Sequence, residues 1–312
     1  MNDHDIAIIG AGGAGLTAAL YAARARRKTV VFERLLTGGQ IATTDVVENF
    51  PGFPDGINGF DLGQLFLRQA EKFGAHMAYE AVTALEALPD GRFLLRTEAE
   101  QYRARAVIVT AGADYNKLGI PGETELTGRG VSYCGTCDAA FFPGQEVAVV
   151  GGGDAALDEA LFITRYASRV HVIHRRGALR ASALLQERAF ANPRIDFTWD
   201  TVVEAIEGKE LVESVVLRDV KTGATRPMAI GAIFIFIGQT PNSGLLRGLV
   251  DIDGGGHAAV DLSMRTSVPG LFVAGDVRVD AARQLISACG DGATAAIAAE
   301  HYIAARFPAP EA

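Results

Sequence analysis

"IAIIGAGGAGLTAALYAARARRKTVVFER", residues 6–34, begins with four apolar residues and turns on a cluster of glycines. It continues through a long alanine-rich segment and ends in a β-branched run. That order predicts strand, turn, helix and strand, the repeating unit of a parallel sheet. Residues 147–175, "VAVVGGGDAALDEALFITRYASRVHVIHR", align with it without a gap. The chain therefore contains the same unit twice.

Each turn fits a dinucleotide-binding pattern: Gly10, Gly12, Ala14 and Gly15 in the first copy; Gly151, Gly153, Asp154, Ala155 and the small Ala156 in the second. The first glycine makes the turn tight. The second removes a side chain where the backbone approaches a pyrophosphate, and the third position lets helix and strand pack closely. The helix start then offers free N–H groups to phosphate. One such turn could serve packing alone; two, each between an apolar strand and a helix, point to two nucleotide sites. The expected fold class is α/β, with two Rossmann-like, three-layer nucleotide-binding domains.

The ends of the second strands separate the two sites. Glu33 closes the first copy, an acid suited to a ribose diol. The aligned residue in the second copy is His174, followed by Arg175, Arg176 and, close behind, Arg180. Guanidinium groups pair with phosphate, so this site expects a 2′-phosphate, although a solvated basic loop would read the same way. FAD in the first site and NADPH in the second satisfy both patterns.

The rest of the chain bounds the function. Its 312 residues suggest two domains, and 49% apolar residues allow a core in each. A net charge of −8 argues against a general nucleic-acid binder. The basic run "RARRK" (24–28) reads as a helix end. The start "MNDHD" lacks the character of a signal peptide. The longest uncharged stretch (228–246) is broken by Gln239, Thr240, Pro241 and Asn242, so no membrane span is expected. A cytoplasmic protein is the expectation.

Three cysteines are present, and two sit in "SYCGTCDAAFF" (132–142). A zinc site needs four ligands, and Cys134 with Cys137 supplies two. Cys289 is far off, and His4, His76, His171, His174, His257 and His301 show no ligand spacing, so no metal is expected. Two inert buried thiols would not explain the spacing. A CxxC beside βαβ units reads as a dithiol that opens and closes. Asp138 next to it suits either proton transfer or simple helix-end charge. Cys289 reads as a small buried residue.

With "CGTCD" between two nucleotide turns, the sequence resembles the low-molecular-weight, bacterial-type thioredoxin reductases, members of the FAD/NADPH pyridine nucleotide-disulfide oxidoreductases. "GAGGAG" with Glu33, "GGQIATTDVVENFPGFP", "CGTCD", "GGGDAA", "HRRGALR" and "GDVRVDAARQLISACGDG" carry the resemblance, which spans nearly the whole chain. It implies an FAD domain in two parts, 1–114 and 244–312, with an NADPH domain, 115–243, inserted between them. It points to Gly39, Gln40 and Asn49 along the flavin, Asp276 at its ribityl chain, and Arg283 and Gln284 near its ring. It implies that Cys137 faces the flavin, that Cys134 attacks the partner's disulfide and that Asp138 is the acid–base residue. It also implies a homodimer, and rotation of the NADPH domain about 112–119 and 238–244. Three positions depart from the family: Gly13 where proline is common, Gly135 where alanine is frequent, and Ala139 where glycine is usual.

The expected activity is NADPH-dependent reduction of the disulfide of thioredoxin or a related small redox protein. The alternatives on the same scaffold are a reductase of a glutaredoxin-like protein, a peroxiredoxin, or a ferredoxin or flavodoxin. A ferredoxin reductase needs no CxxC. An oxygen-using dithiol oxidase needs no arginine-flanked nucleotide turn.

Overall fold

The computed structural model describes residues 2–44, 46, 47 and 49–308. The chain forms two compact units, one from the residues up to Asp114 together with those from Thr240 onward, the other from Tyr115–Gln239.

The first unit begins with strand β1 (Asn2–Ile9), helix α1 (Gly13–Arg24) and strand β2 (Thr29–Phe32), as the repeat predicts. Helix α2 (Gly59–Lys72) leads to β3 (His76–Ala78), and β4 (Ala84–Ala87), β5 (Phe93–Arg96) and β6 (Gln101–Val109) follow. The sheet runs β3-β2-β1-β6-β5-β4. Its β3-β2-β1-β6 part is parallel, and β5 and β4 join antiparallel. The parallel strands need no alternation of polar residues, because both faces are covered: Ile6, Ile8 and Val31 enter one apolar cluster, Ala7, Ile9, Val30 and Phe32 the other.

The second unit repeats the plan. After β7 (Val131–Ser132) and the one-turn helix α3 (Gly135–Asp138) come β8 (Glu146–Gly151), α4 (Asp154–Ile163), β9 (Arg169–Ile173), α5 (Ala183–Ala191) and β10 (Ile195–Thr198). Three antiparallel strands follow, β11 (Thr201–Glu207), β12 (Ser214–Asp219) and β13 (Thr225–Ala229), and then β14 (Ala232–Phe236). The parallel sheet has the order β10-β9-β8-β14-β7. Val147, Val149 and Phe234 pack under Ala156, Leu157, Ala160 and Ile163 of α4. The opposite face, with Ala148, Val150 and Ile233, meets Val203, Ile206, Val215 and Leu217 of the antiparallel strands. The third layer of this unit is thus a small sheet, not helices.

The chain then completes the first unit with β15 (Leu271–Val273), parallel to β6, and the long α6 (Leu285–Arg306). Alanines let α6 and α1 approach closely: Ala18, Ala19 and Ala22 share a cluster with Ala295, Ala296 and Ala299. A Cβ on Gly292 would lie 2.1 Å from the Ala14 carbonyl oxygen, so only glycine fits that crossing.

Candidate active site

Cys134 and Cys137 form a disulfide, with their Cα atoms 5.3 Å apart. Cys134 is the extended residue preceding α3, and the Asp138 N–H donates to its carbonyl at 3.1 Å. Ser132, buried on β7, ties the loop together. Its hydroxyl donates to Asp138 Oδ2 at 2.6 Å and accepts the Cys134 N–H at 3.1 Å. The acid next to the disulfide is therefore held by the residue two before Cys134. Sequence reasoning passed over Ser132, since a serine ahead of a cysteine carries no signal of its own.

Two further groups surround this segment. Glu123, 1% exposed, accepts the N–H groups of Leu118 at 2.9 Å and Gly119 at 2.7 Å, and the Tyr133 hydroxyl at 2.8 Å. Burial, and then the Glu123 carboxylate, push the Tyr133 phenol well above its ordinary range. Tyr133 also stacks on Tyr115, with ring centres 5.2 Å apart. On the other side, a Cβ on Gly135 would lie 2.3 Å from Glu159 Oε2 and 3.1 Å from the Ile163 side chain. The glycine that stands in place of the family's frequent alanine thus leaves room for a carboxyl.

In the same unit the second glycine turn is tightly built. A Cβ on Gly151 would lie 2.5 Å from both Ala156 Cβ and the Phe236 carbonyl oxygen, and one on Gly152 would lie 2.3 Å from the His174 ring. His174 is buried there, with Nε2 3.1 Å from the Ala178 carbonyl oxygen. Burial holds its imidazole below the ordinary histidine value. It supports the turn from inside. Arg175, Arg176 and Arg180 are exposed. Their loop is pinned to the turn by the Arg180 N–H, which donates to the Gly152 carbonyl at 2.7 Å, and by the Ser182 N–H, which donates to Asp154 Oδ1 at 2.5 Å. Ala155, next in α4, is exposed.

The first unit gathers its own set. Gly10 has φ +107°, and a Cβ there would lie 2.5 Å from the Thr110 carbonyl oxygen. One on Gly15 would lie 1.8 Å from the Gly10 carbonyl oxygen. Glu33 accepts the Ala11 N–H at 2.9 Å and the Leu35 N–H at 2.8 Å, which holds its carboxylate beside the turn. A Cβ on Gly39 would come within 3.2 Å of Gly12 Cα, so "GGQ" packs on the turn. Gln40 donates to the Ala113 carbonyl, and Asn49 donates to Gln284 Oε1 at 3.1 Å. Glu48 of the same motif lies outside the described residues.

Gly275 brings the late motif to α1, its missing Cβ 3.1 Å from Ala14 Cβ. Asp276 beside it makes no hydrogen bond to a described residue; burial raises its carboxyl above the usual value, and the charge of the exposed Arg283 opposes this. Asp291 clasps Arg278 at 2.6 and 3.0 Å and accepts the Gly275 N–H at 3.1 Å. This supporting pair, like Ser132, had no separate mark in the sequence. Leu285 Cδ1 would lie 2.4 Å from a Cβ on Gly13. Among the described residues, no group of three or more His, Cys, Asp or Glu is placed to hold a metal ion. No helix among them is long and apolar enough to cross a membrane.

Residues 4–298 match the family described as pyridine nucleotide-disulphide oxidoreductase. The chain belongs to that family. A thioredoxin reductase of Treponema pallidum (strain Nichols) is 49% identical to this pyridine nucleotide-disulphide oxidoreductase over 301 residues, covering 96% of this chain and 97% of that one. The thioredoxin reductase of Bacillus subtilis (strain 168) is 45% identical over 303 residues, 96% of this chain and 95% of that one. The crystal structure of thioredoxin reductase from Streptococcus pyogenes MGAS5005 superposes with a TM-score of 0.92 at 44% identity, covering 97% of this chain and 99% of that one.

The cofactors of this family are FAD and NADPH, and the residues fit them. Gly12 and Gly153 each have nothing within 4 Å of an added Cβ. No described protein atom requires glycine at either position, so the backbone there is open to the approach of a pyrophosphate. Asp276 offers a half-buried carboxylate with unused acceptor capacity, which suits a hydroxyl-bearing chain.

Proposed function

We propose that this chain is an NADPH-dependent disulfide reductase acting on thioredoxin. The observation that carries this reading is the Cys134–Cys137 disulfide with Asp138 and its Ser132 support, on the unit that also bears the arginine-flanked nucleotide turn. When bound, FAD supplies the two-electron carrier between NADPH and the disulfide. In this reading Gly10, Gly12, Ala14, Gly15, Glu33, Gly39, Gln40, Asn49, Asp276, Arg283 and Gln284 hold FAD. Gly151, Gly153, Asp154 and Ala155 lay NADPH on the second turn, Arg175, Arg176 and Arg180 pair with its 2′-phosphate, and His174 keeps the turn in shape from beneath.

Cys137 is the sulfur reduced first, and Cys134 the one that attacks the partner's disulfide. The mixed disulfide formed at Cys134 is then opened by Cys137, which restores the internal disulfide and releases a dithiol partner. Asp138 gives the departing sulfur its proton, and the Ser132 hydroxyl fixes which carboxylate oxygen does so. Residues 1–114 with those from 244 on are the FAD domain, and residues 115–243 are the NADPH domain. They turn against each other at 112–119 and 238–244, both rich in turn-forming residues. The protein is a homodimer. It acts in the cytoplasm, where a recycling dithiol meets reducing conditions.

The test is NADPH consumption by the purified FAD-loaded protein with a panel of disulfide proteins from the same cell. Thioredoxin should be reduced with one NADPH used per disulfide. Oxidation of NADPH with ferredoxin or flavodoxin, and none with thioredoxin, glutaredoxin-like or peroxiredoxin proteins, would overturn the reading.

A further inference from the structure

The steps above leave one carboxyl beside the dithiol segment without a task. Glu159 stands on α4, which packs against α3. Its Oε2 is buried and accepts no hydrogen bond from a described residue. It fills the space where residue 135 would carry a side chain, 2.3 Å from an ideal Cβ there. Residue 135 lies between the two disulfide cysteines in the chain, so this oxygen abuts the backbone that joins the two sulfur-bearing residues.

We propose that Glu159 is a positioning residue for the Cys134–Cys137 couple: its carboxyl, seated in the hollow that Gly135 leaves, sets how readily the opened dithiol holds a thiolate. The proposal rests on the reading that these cysteines are the reactive pair. Opening the disulfide with two electrons and one proton leaves one thiol and one thiolate. A carboxylate nearby disfavours the thiolate, and the thiolate in turn favours a proton on the carboxyl. At neutral pH the second proton is therefore shared between sulfur and Glu159 and does not go to sulfur alone.

The surroundings suit that role. Burial, with a smaller push from Asp158 on the same helix, raises the Glu159 carboxyl to about 7, and the amides of Thr136 and Gly135 pull the other way. Among the described residues, α5 and the strands β8, β9 and β14 packed against α4 bring no further charge to bear on it. Asp138, the one acid on α3, is held by Ser132. Glu159 thus changes charge in the range where a reactive thiol does.

The experiment uses the full-length protein reduced with a phosphine. Iodoacetamide labelling of Cys134 and Cys137 is followed peptide by peptide from pH 5.5 to 9. Buried Cys289 serves as an internal reference whose slow labelling should not change. In Glu159→Gln the more reactive thiol should titrate up to about one pH unit lower than in the wild type, the thiolate-to-thiol ratio rising several-fold near pH 8, where the wild-type carboxyl is ionised, and hardly at all near pH 6, where it carries its proton. In Gly135→Ala, the methyl group displaces the carboxyl, and the profile should move the same way by a smaller amount. A Glu159→Gln profile that superimposes on the wild type, or moves upward, overturns the proposal. A Gly135→Ala profile identical to the wild type overturns the seat assigned to the carboxyl. Neither readout involves NADPH, flavin or thioredoxin, so failure of the thioredoxin assay and failure here are separate results.

Discussion

Replacing Gly153 with alanine separates a glycine kept for a ligand from one kept for packing. Gly153 precedes α4 with φ −100° and ψ −178°, a conformation alanine adopts freely. An added Cβ meets nothing within 4 Å. Alanine is a poorer residue than glycine before a helix, by up to about 1 kcal/mol, but it lowers the entropy of the unfolded chain by a similar amount. The net change in stability should lie within about 1 kcal/mol of zero. In the proposed site the same methyl group stands where the pyrophosphate of NADPH would touch the backbone. Loss of one charge-assisted bond there is worth about 1.5–3 kcal/mol, or roughly ten- to hundredfold in affinity. Gly151→Ala is the contrast. Its Cβ would sit 2.5 Å from Ala156 Cβ and from the Phe236 carbonyl oxygen, and it should destabilise by about 1–3 kcal/mol or more. Urea unfolding gives the first quantity and the Michaelis constant for NADPH the second. A Gly153→Ala protein that is as weakened as Gly151→Ala, or one with an unchanged Michaelis constant, would refute the reasoning.

Alanine at Arg175 and Arg180 should raise the Michaelis constant for NADPH by about tenfold or more while leaving that for NADH nearly unchanged, and the difference should shrink as salt is added. Cys137→Ser should trap a mixed disulfide with thioredoxin through Cys134, visible on a non-reducing gel, whereas Cys134→Ser should not. Glu159 is protonated more readily in the folded chain than in the unfolded one, whose value is 4.5, so the wild type should lose stability as pH rises from about 4.5 to about 7. Glu159→Gln should remove that loss: in urea unfolding of the oxidised proteins it should be the more stable at pH 8, by about 3 kcal/mol at most, and the gap should close near pH 5. A gap that widens on acidification would show that the carboxylate is favoured in the folded state.

The nucleotide units were legible because their signals are local. An apolar strand, glycines at fixed intervals and an alanine-rich helix lie within one stretch of chain, and Glu33 and the arginines fall at fixed distances from the glycines. The CxxC is equally local. What periodicity did not reveal is what each sheet face meets: the antiparallel strands β11–β13 cover one face of the second sheet, where a three-layer expectation would allow helices. The histidine aligned with Glu33 shows a second limit. Alignment placed His174 beside a ribose, but a neutral imidazole can also fill a hollow, and the space over Gly152 takes it inward. Ser132, Glu159 and the Asp291–Arg278 pair lie inside the quoted stretches but have no spacing of their own, and only the folded chain displays their contacts.

The Glu123 cluster bears on how this chain tolerates insertion. One buried carboxylate gathers the amides of Leu118 and Gly119 with the hydroxyl of Tyr133, so residues 118–133 close into a ring whose far end is the neighbour of Cys134. Lengthening the chain inside that ring would leave the buried Glu123 carboxylate short of its donors, at about 1–3 kcal/mol for each hydrogen bond lost. An insert between Leu118 and Tyr133 should therefore loosen the cysteine segment.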